Sequence, residues 1–274
     1  MSEYAFSAIP MLERPAKPRT SGQTMMIDFG LGLSQQEDIL RLASAYIDSA
    51  KLAVGVARLL PRELVMQKIS LYQQFDVAPY PGGQFLEYAV LCGKVDEYFG
   101  ETRAIGFHAV EVSDNLLSIS LDEKKALIAK ARATYGLEVY GEVGKKEGLA
   151  VTVSLEEDIA ACLEAGSSKV LVEAAEIFGH GRDKSLAAQL TKAAPLEKLM
   201  FELTGPWIEG TTYSEPDTLA RWLMQTLGPN VNIGNVLPDS LLRIETARRG
   251  LGVNAGGELP SGLMRDEGME GSCG

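Results

Sequence analysis

Six acidic residues of this chain sit in or at the ends of short apolar runs, where a carboxylate is expensive. Asp28 ends the run TMMID, Glu111 and Asp114 lie in HAVEVSD, and Glu142 lies in LEVYGEVG. Glu173 follows KVLV and Glu202 follows KLMF. A carboxylate taken out of water must be paired, protonated or bound to metal. Any one of them could pair with a basic side chain and lock strand register. As a set they point to a hard cation such as Mg²⁺, which takes oxygen ligands and keeps some waters. All six are therefore candidate metal ligands. Basic groups are spaced to meet them: Lys51 opens the run KLAVGV, Arg58 and Arg62 follow it, and Lys145 and Lys146 come directly after Glu142-Val143-Gly144. A lysine beside carboxylates and metal can serve as an acid, and a cationic patch is what an anionic substrate needs. Pro81-Gly82-Gly83 would let a backbone approach a ligand closely. Asn232-Ile233-Gly234-Asn235 and Gly179-His180-Gly181-Arg182 add polar groups on short, glycine-punctuated stretches, with simple turns as the plain alternative.

The elements that must carry these residues follow from periodicity. Strands are expected at 24–30, 51–56, 77–82, 108–114, 137–144, 169–174, 198–205 and 230–236, mostly as continuous apolar runs, which marks strands covered on both faces. Helical patterns fill the gaps. Ser34-Gln35-Gln36-Glu37, Ser120-Leu121-Asp122-Glu123 and Ser154-Leu155-Glu156-Glu157 read as capping boxes, each after a strand. Pro61 and Pro238 suit first helical turns, and Gly136, Gly166 and Gly228 suit helix ends. Eight strand–helix units in one chain give the fold class α/β, a (β/α)8 TIM barrel, which typically takes about 250 residues and places reactive groups at the C-terminal ends of its strands. The rival, an open doubly wound sheet with a nucleotide site, wants a third glycine after Gly30-Leu31-Gly32, where Gln35 stands instead. Residues 1–23 read as an arm, 24–252 as a single barrel domain, and 253–274 as a flexible tail.

Composition bounds the function. The 274 residues carry a formal net charge of −11, which argues against a nucleic-acid or anionic-membrane surface. No apolar run reaches the roughly 18–20 residues of a membrane span, and the N-terminus lacks the apolar core of a signal peptide. Three widely spaced cysteines, Cys92, Cys162 and Cys273, form neither a disulfide framework nor a zinc pattern, so a reduced cytoplasm is expected. With only His108 and His180 available, a histidine-rich metal site is excluded.

Several long stretches resemble the phosphosulfolactate synthase family of coenzyme M biosynthesis: GQTMMIDFGLGL (22–33), LLPRELVMQKISLY (59–72), YPGGQFLEYAVLCGKVDEY (80–98), GFHAVEVSDN (106–115), EVGKK (142–146) and GPNVNIGNVLPDSLLRIETARRGLG (228–252). The resemblance covers about 19–252. It implies a (β/α)8 barrel that adds sulfite to phosphoenolpyruvate, giving (2R)-phospho-3-sulfolactate, the first step of that pathway, with Mg²⁺ required. It implies a proton donor at Lys145 or Lys146 and a homo-oligomer, with a trimer as the candidate form. Lys51, Arg58, Arg62, Gly82, Gly83, Arg182, Asn232, Gly234 and Asn235 are then the expected substrate-binding residues. Two stretches depart from the family pattern. Glu173-Ala174-Ala175-Glu176 stands where E-G-R-E-S is usual, leaving Arg182 to replace the arginine, and Phe201-Glu202-Leu203-Thr204-Gly205-Pro206-Trp207 stands where W-E-A-P is usual. They motivate two alternatives: a barrel enzyme adding another nucleophile to an enol acid, or a non-catalytic stress-associated relative.

Overall fold

In a computed structural model of the chain, the described residues are 4–144, 153–173 and 184–251. Eight parallel strands alternate with helices: β1 (Thr24–Asp28), β2 (Ser49–Leu52), β3 (Ala78–Pro81), β4 (Ala109–Val112), β5 (Glu138–Val143), β6 (Lys169–Glu173), β7 (Leu199–Glu202) and β8 (Ile233–Val236). The helices are α1 (Leu33–Ala43), α2 (Val56–Leu59), α3 (Arg62–Gln74), α4 (Gly83–Leu91), α5 (Val95–Ala104), α6 (Leu121–Tyr135), α7 (Leu155–Ala165), α8 (Lys184–Ala193), α9 (Glu215–Leu227) and α10 (Leu241–Arg248). The hydrogen-bonded order is β3-β2-β1-β8-β7-β6-β5-β4. This is the expected (β/α)8 barrel, nearly closed.

The one seam, between neighbouring β3 and β4, has a cause in the sequence. Ala78 and Gly82 donate their amides to Asp48 and Leu52 on the β2 side. The intervening residues, Pro79 and Pro81, would donate toward β4, and proline has no N–H to give.

Alternation along each strand sorts side chains to two faces. Outward, Met26, Ala50, Leu52, Val110, Val112, Val139, Val170, Val172 and Phe201 join the helices in the main core. Inward, Met25, Tyr80, Ala109, Leu171 and Met200 form a separate apolar floor inside the barrel.

Helix ends follow the expected chemistry, with one shift. Ser120 and Ser154 cap α6 and α7 with Glu123 and Glu157 reciprocating, and Gly136 and Gly166 close the same helices in the left-handed conformation. On α1 the N-cap is Gly32, whose amide reaches Gln35 Oε1 at 3.3 Å, so Ser34 lies within the first turn rather than before it. Ahead of β1, Arg14 pairs with Glu245 of α10 and Arg19 with Asp48 at 2.9 Å, so this leading segment is tied to the N-terminal end of the barrel.

Candidate active site

Two residues beyond the apolar floor on the same strands, the inward positions turn acidic. Glu111 follows Ala109, Glu142 follows Tyr140, Glu173 follows Leu171, and Glu202 follows Met200. All four line a cavity of about 160 Å³ at the C-terminal mouth, together with Lys51 of β2. Each glutamate is at most 3 % exposed. Among the described residues Lys51 is the one cation on the cavity wall.

Lys51 bridges the barrel. Its Nζ lies 2.6 Å from Glu202 Oε1 and 3.1 Å from Glu111 Oε2. Burial works to lower its pKa, yet Glu111 and Glu202 outweigh it, so the ammonium is held well above its ordinary value. Glu111 moves up as well, because burial and the neighbouring Glu142 and Glu202 exceed the pull of Lys51. The other Glu111 oxygen accepts the Gly83 amide at 2.8 Å. Gly83 must be glycine for this: a Cβ there would lie 2.9 Å from that same oxygen and collide with Ser113. Gly234 has a packing reason of its own, since a Cβ would meet Met25 Cε at 2.8 Å.

Two asparagines hold two of the acids. Asn115 Nδ2 donates to Glu142 Oε1 at 2.7 Å, and Asn235 Nδ2 donates to Glu202 Oε2 at 2.9 Å. The loop carrying Asn115 is latched to α4 by Glu87, whose carboxylate accepts Ser113 Oγ at 2.5 Å and the amides of Asn115, Leu116 and Leu117 at 2.7–3.1 Å. The opposite rim is apolar, where the rings of Phe29 and Trp207 meet at a tilt of 39° with centroids 5.2 Å apart.

Oxygens of Glu142, Glu173 and Glu202 lie within 4.8 Å of one another. Even with Glu111 biased toward its neutral form, three further buried carboxylates outnumber the one ammonium, and a site of oxygen donors only suits a hard divalent cation. The residues present therefore fit such an ion.

Not every expected residue reaches this mouth. Glu111, Glu142, Glu173 and Glu202 converge, but Asp28 does not. Ile27 faces the cavity, so Asp28 faces α3, where it pairs with Lys68 at 2.9 Å, accepts Tyr72 at 2.7 Å and caps the amides of Gly30 and Leu31. Asp114 likewise turns away from the cavity to Lys124 of α6, 3.0 Å away. Among the expected substrate-binding residues, Lys51, Gly82, Gly83 and Asn235 line the cavity. Arg58 is exposed at the end of α2, and Arg62, at the start of α3, pairs with Glu101 at the surface. Asn232 is buried below the site, its Nδ2 on the Leu199 carbonyl at 2.8 Å and its Oδ1 on the Gln23 amide at 2.9 Å. Lys145, Lys146 and Arg182 lie outside the described residues. Missed by the sequence reading were Asn115, Phe29 and Trp207; they stand four, two and five residues past the inward-facing Glu111, Ile27 and Glu202.

A buried acid–lysine cluster at the C-terminal mouth of a (β/α)8 barrel defines a barrel enzyme, and solved structures agree on the fold. The YdjI aldolase of Escherichia coli K12 superimposes with a TM-score of 0.53 at 10% identity, covering 83% of this chain and 79% of that one. The 3-hexulose-6-phosphate synthase of Salmonella typhimurium does so with 0.51 at 12%, covering 84% and 98%. Sequence narrows the class. The model of the (2R)-phospho-3-sulfolactate synthase (ComA) family matches residues 12–254, and the chain belongs to that family. It is 36% identical over 252 residues to the phosphosulfolactate synthase of Methanothermobacter thermautotrophicus, covering 87% of this chain and 92% of the relative. To the phosphosulfolactate synthase of Bacillus subtilis it is 32% identical over 235 residues, covering 81% and 87%. The chain is thus a barrel enzyme of the phosphosulfolactate synthase type.

Proposed function

We propose that the enzyme adds sulfite to the methylene carbon of phosphoenolpyruvate, giving (2R)-phospho-3-sulfolactate. The observation that carries this reading is the convergence of Glu142, Glu173 and Glu202 in one small cavity beside Lys51, in a chain of this family. A divalent cation such as Mg²⁺, bound through those three carboxylates, would supply Lewis-acid stabilisation of the charge that builds on the substrate carboxylate. Sulfite forms the new carbon–sulfur bond with its lone pair, the π electrons move onto the substrate carboxylate, and a proton then reaches C2 from one face. No leaving group departs. We assign that proton to Lys145 or Lys146, directly after the strand that carries Glu142. Lys51 holds Glu111 and Glu202 in place and sets the local charge. Gly82 and Gly83 present backbone edges to the substrate, and Arg182 stands in for the family's missing arginine. The rings of Phe29 and Trp207 exclude water from one side.

The same reading makes residues 1–23 an arm on a single barrel domain spanning 24–252, with 253–274 as a tail. It also places the enzyme in the cytoplasm as a homo-oligomer acting on small anionic substrates. No helix among the described residues is long and apolar enough to cross a membrane.

Incubation with phosphoenolpyruvate, sulfite and Mg²⁺, followed by ³¹P NMR, should reveal a product still phosphorylated and newly sulfonated. Lys145→Ala or Lys146→Ala should lower the rate by roughly 10²–10⁴, the span of general acid catalysis. Both variants turning over within a few-fold of the parent would exclude the pair as donor. Consumption of phosphoenolpyruvate with a different nucleophile, and not with sulfite, would transfer the reading to a related addition and attribute it to the altered loops after β6 and β7.

A further inference from the structure

Two atoms on the cavity wall have no role in the chemistry described so far: the amide oxygens of Asn115 and Asn235. Both are buried, and neither has a hydrogen-bond partner among the described residues. Their orientation is not arbitrary. A carboxylate accepts and an amide NH₂ donates, so the nitrogen end of each asparagine must face its glutamate, Glu142 or Glu202. The oxygen end is thereby fixed the other way.

The two positions are related. The hydrogen-bonded order places β5, β6 and β7 side by side, with β4 and β8 flanking them. Asn115 follows β4 and Asn235 lies on β8, so the asparagines bracket the three glutamates. Each is also held by its surroundings. The Asn115 backbone is latched through Glu87. Asn235 occupies the left-handed region at φ 55°, where asparagine is one of the few residues tolerated.

An unpartnered buried carbonyl oxygen is costly, and two in one cavity call for a ligand that donates hydrogen bonds or carries positive charge. The oxygens of an anionic substrate do neither. Water molecules bound to a hard cation do both, and a cavity of about 160 Å³ far exceeds the roughly 10–15 Å³ that a single water needs, so it has room for a partly hydrated ion.

Resting on the cation site of the reading above, we infer that Asn115 and Asn235 are a matched pair of positioning residues for a partly hydrated divalent cation. Each amide nitrogen orients one carboxylate ligand, and each amide oxygen accepts from the ion's waters. Removing such a partner typically loosens metal binding 10–100-fold.

The test uses Mn²⁺ as the probe, with free ion read by electron paramagnetic resonance in titrations of the full chain. Asn115→Ala and Asn235→Gly are the informative variants. Glycine at 235 keeps the left-handed backbone free of strain, so it removes the amide alone. Each should bind Mn²⁺ about tenfold more weakly or worse, while Glu173→Gln loses more. Metal-free melting curves control for folding, and Asn115→Ser replaces the alanine variant if that one unfolds. Affinities within twofold of the parent in both asparagine variants, with Glu173→Gln clearly weakened, would overturn this assignment alone. A parent chain that binds no Mn²⁺ would overturn it together with the cation in the reading it rests on.

Discussion

Lys51 and Lys124 are both buried against more than one carboxylate, and they serve opposite ends. Lys124, on α6 outside the sheet, is 1% exposed and reaches Asp158 at 2.9 Å, Asp114 at 3.0 Å and the backbone carbonyl of Glu142 at 2.6 Å. All three of its N–H donors are used, and although burial opposes the charge, Cys162, Asp158 and Asp114 together hold the ammonium above its usual range. Lys51, inside the sheet, is equally enclosed but faces four glutamates across a cavity. A cluster whose groups are fully partnered and enclose no cavity braces; one with surplus carboxylates around a cavity binds. The residue Glu142 joins the two, its carboxylate in the site and its carbonyl on the brace, so Lys124 fixes the strand from which the site acid projects.

Breaking the brace should give the largest effect. Lys124→Met leaves the buried Asp114 and the half-buried Asp158 without their cation, and removing one partner of such a group costs about 3–5 kcal/mol. Urea denaturation should register that loss, while turnover per folded molecule changes only a few-fold. Lys51→Met should show the reverse emphasis: turnover falls about 10²–10³-fold, the scale of losing one preorganised electrostatic group, and stability recovers when divalent cation is added. A Lys51 variant that turns over like the parent would erase the distinction between the two lysines.

Metal should stabilise only the inner cluster. With Mg²⁺ at about a hundredfold over its Kd, mass action adds about 2.7 kcal/mol to unfolding. Glu173→Gln should lose most of that gain and Asp114→Asn none of it, as read by melting temperature with and without chelator.

The smallest effect tests a third lysine, at the opposite end of the barrel. Lys169 donates to the Glu197 carbonyl at 2.7 Å, and burial, with Lys198 adding to it, pushes its pKa down from 10.5 to about 8. Between those values the unfolded chain binds more protons than the folded one, so stability rises with pH across that window and the penalty is full below it. Lys169→Met should flatten the slope and stabilise the protein slightly at neutral pH. Denaturation curves on either side of the window would decide it.

Much of this was legible in the sequence, and the misses share one cause. Eight strands were placed because apolar runs and turn residues mark where a strand lies. Those runs are buried on both faces, so they carry no alternation to say which side chain points inward. Glu111, Glu142, Glu173 and Glu202 fell on the inner parity; Asp28, in the equally uniform run TMMID, fell on the outer one and found Lys68 and Tyr72 instead. Lys51 was read as opening its strand, but β2 starts at Ser49 and carries it inward as its third residue. Arg58 and Arg62 follow the right strand, yet α2 and the start of α3 hold them at the surface. Asn115 carries no signal of its own in the sequence, because its value emerges only from a carboxylate 27 residues away.

The seam between β3 and β4 has a mechanical consequence. Elsewhere the barrel can widen only by breaking ladder bonds; at Pro79 and Pro81 it can part without breaking one. What spans the gap there is a clasp, the Gly83 amide on Glu111, and Glu111 also grips Lys51. Any event that changes the charge on that carboxylate pulls on the hoop as well as on the cavity. Breathing of the wall is thereby coupled to the ionic state of the site.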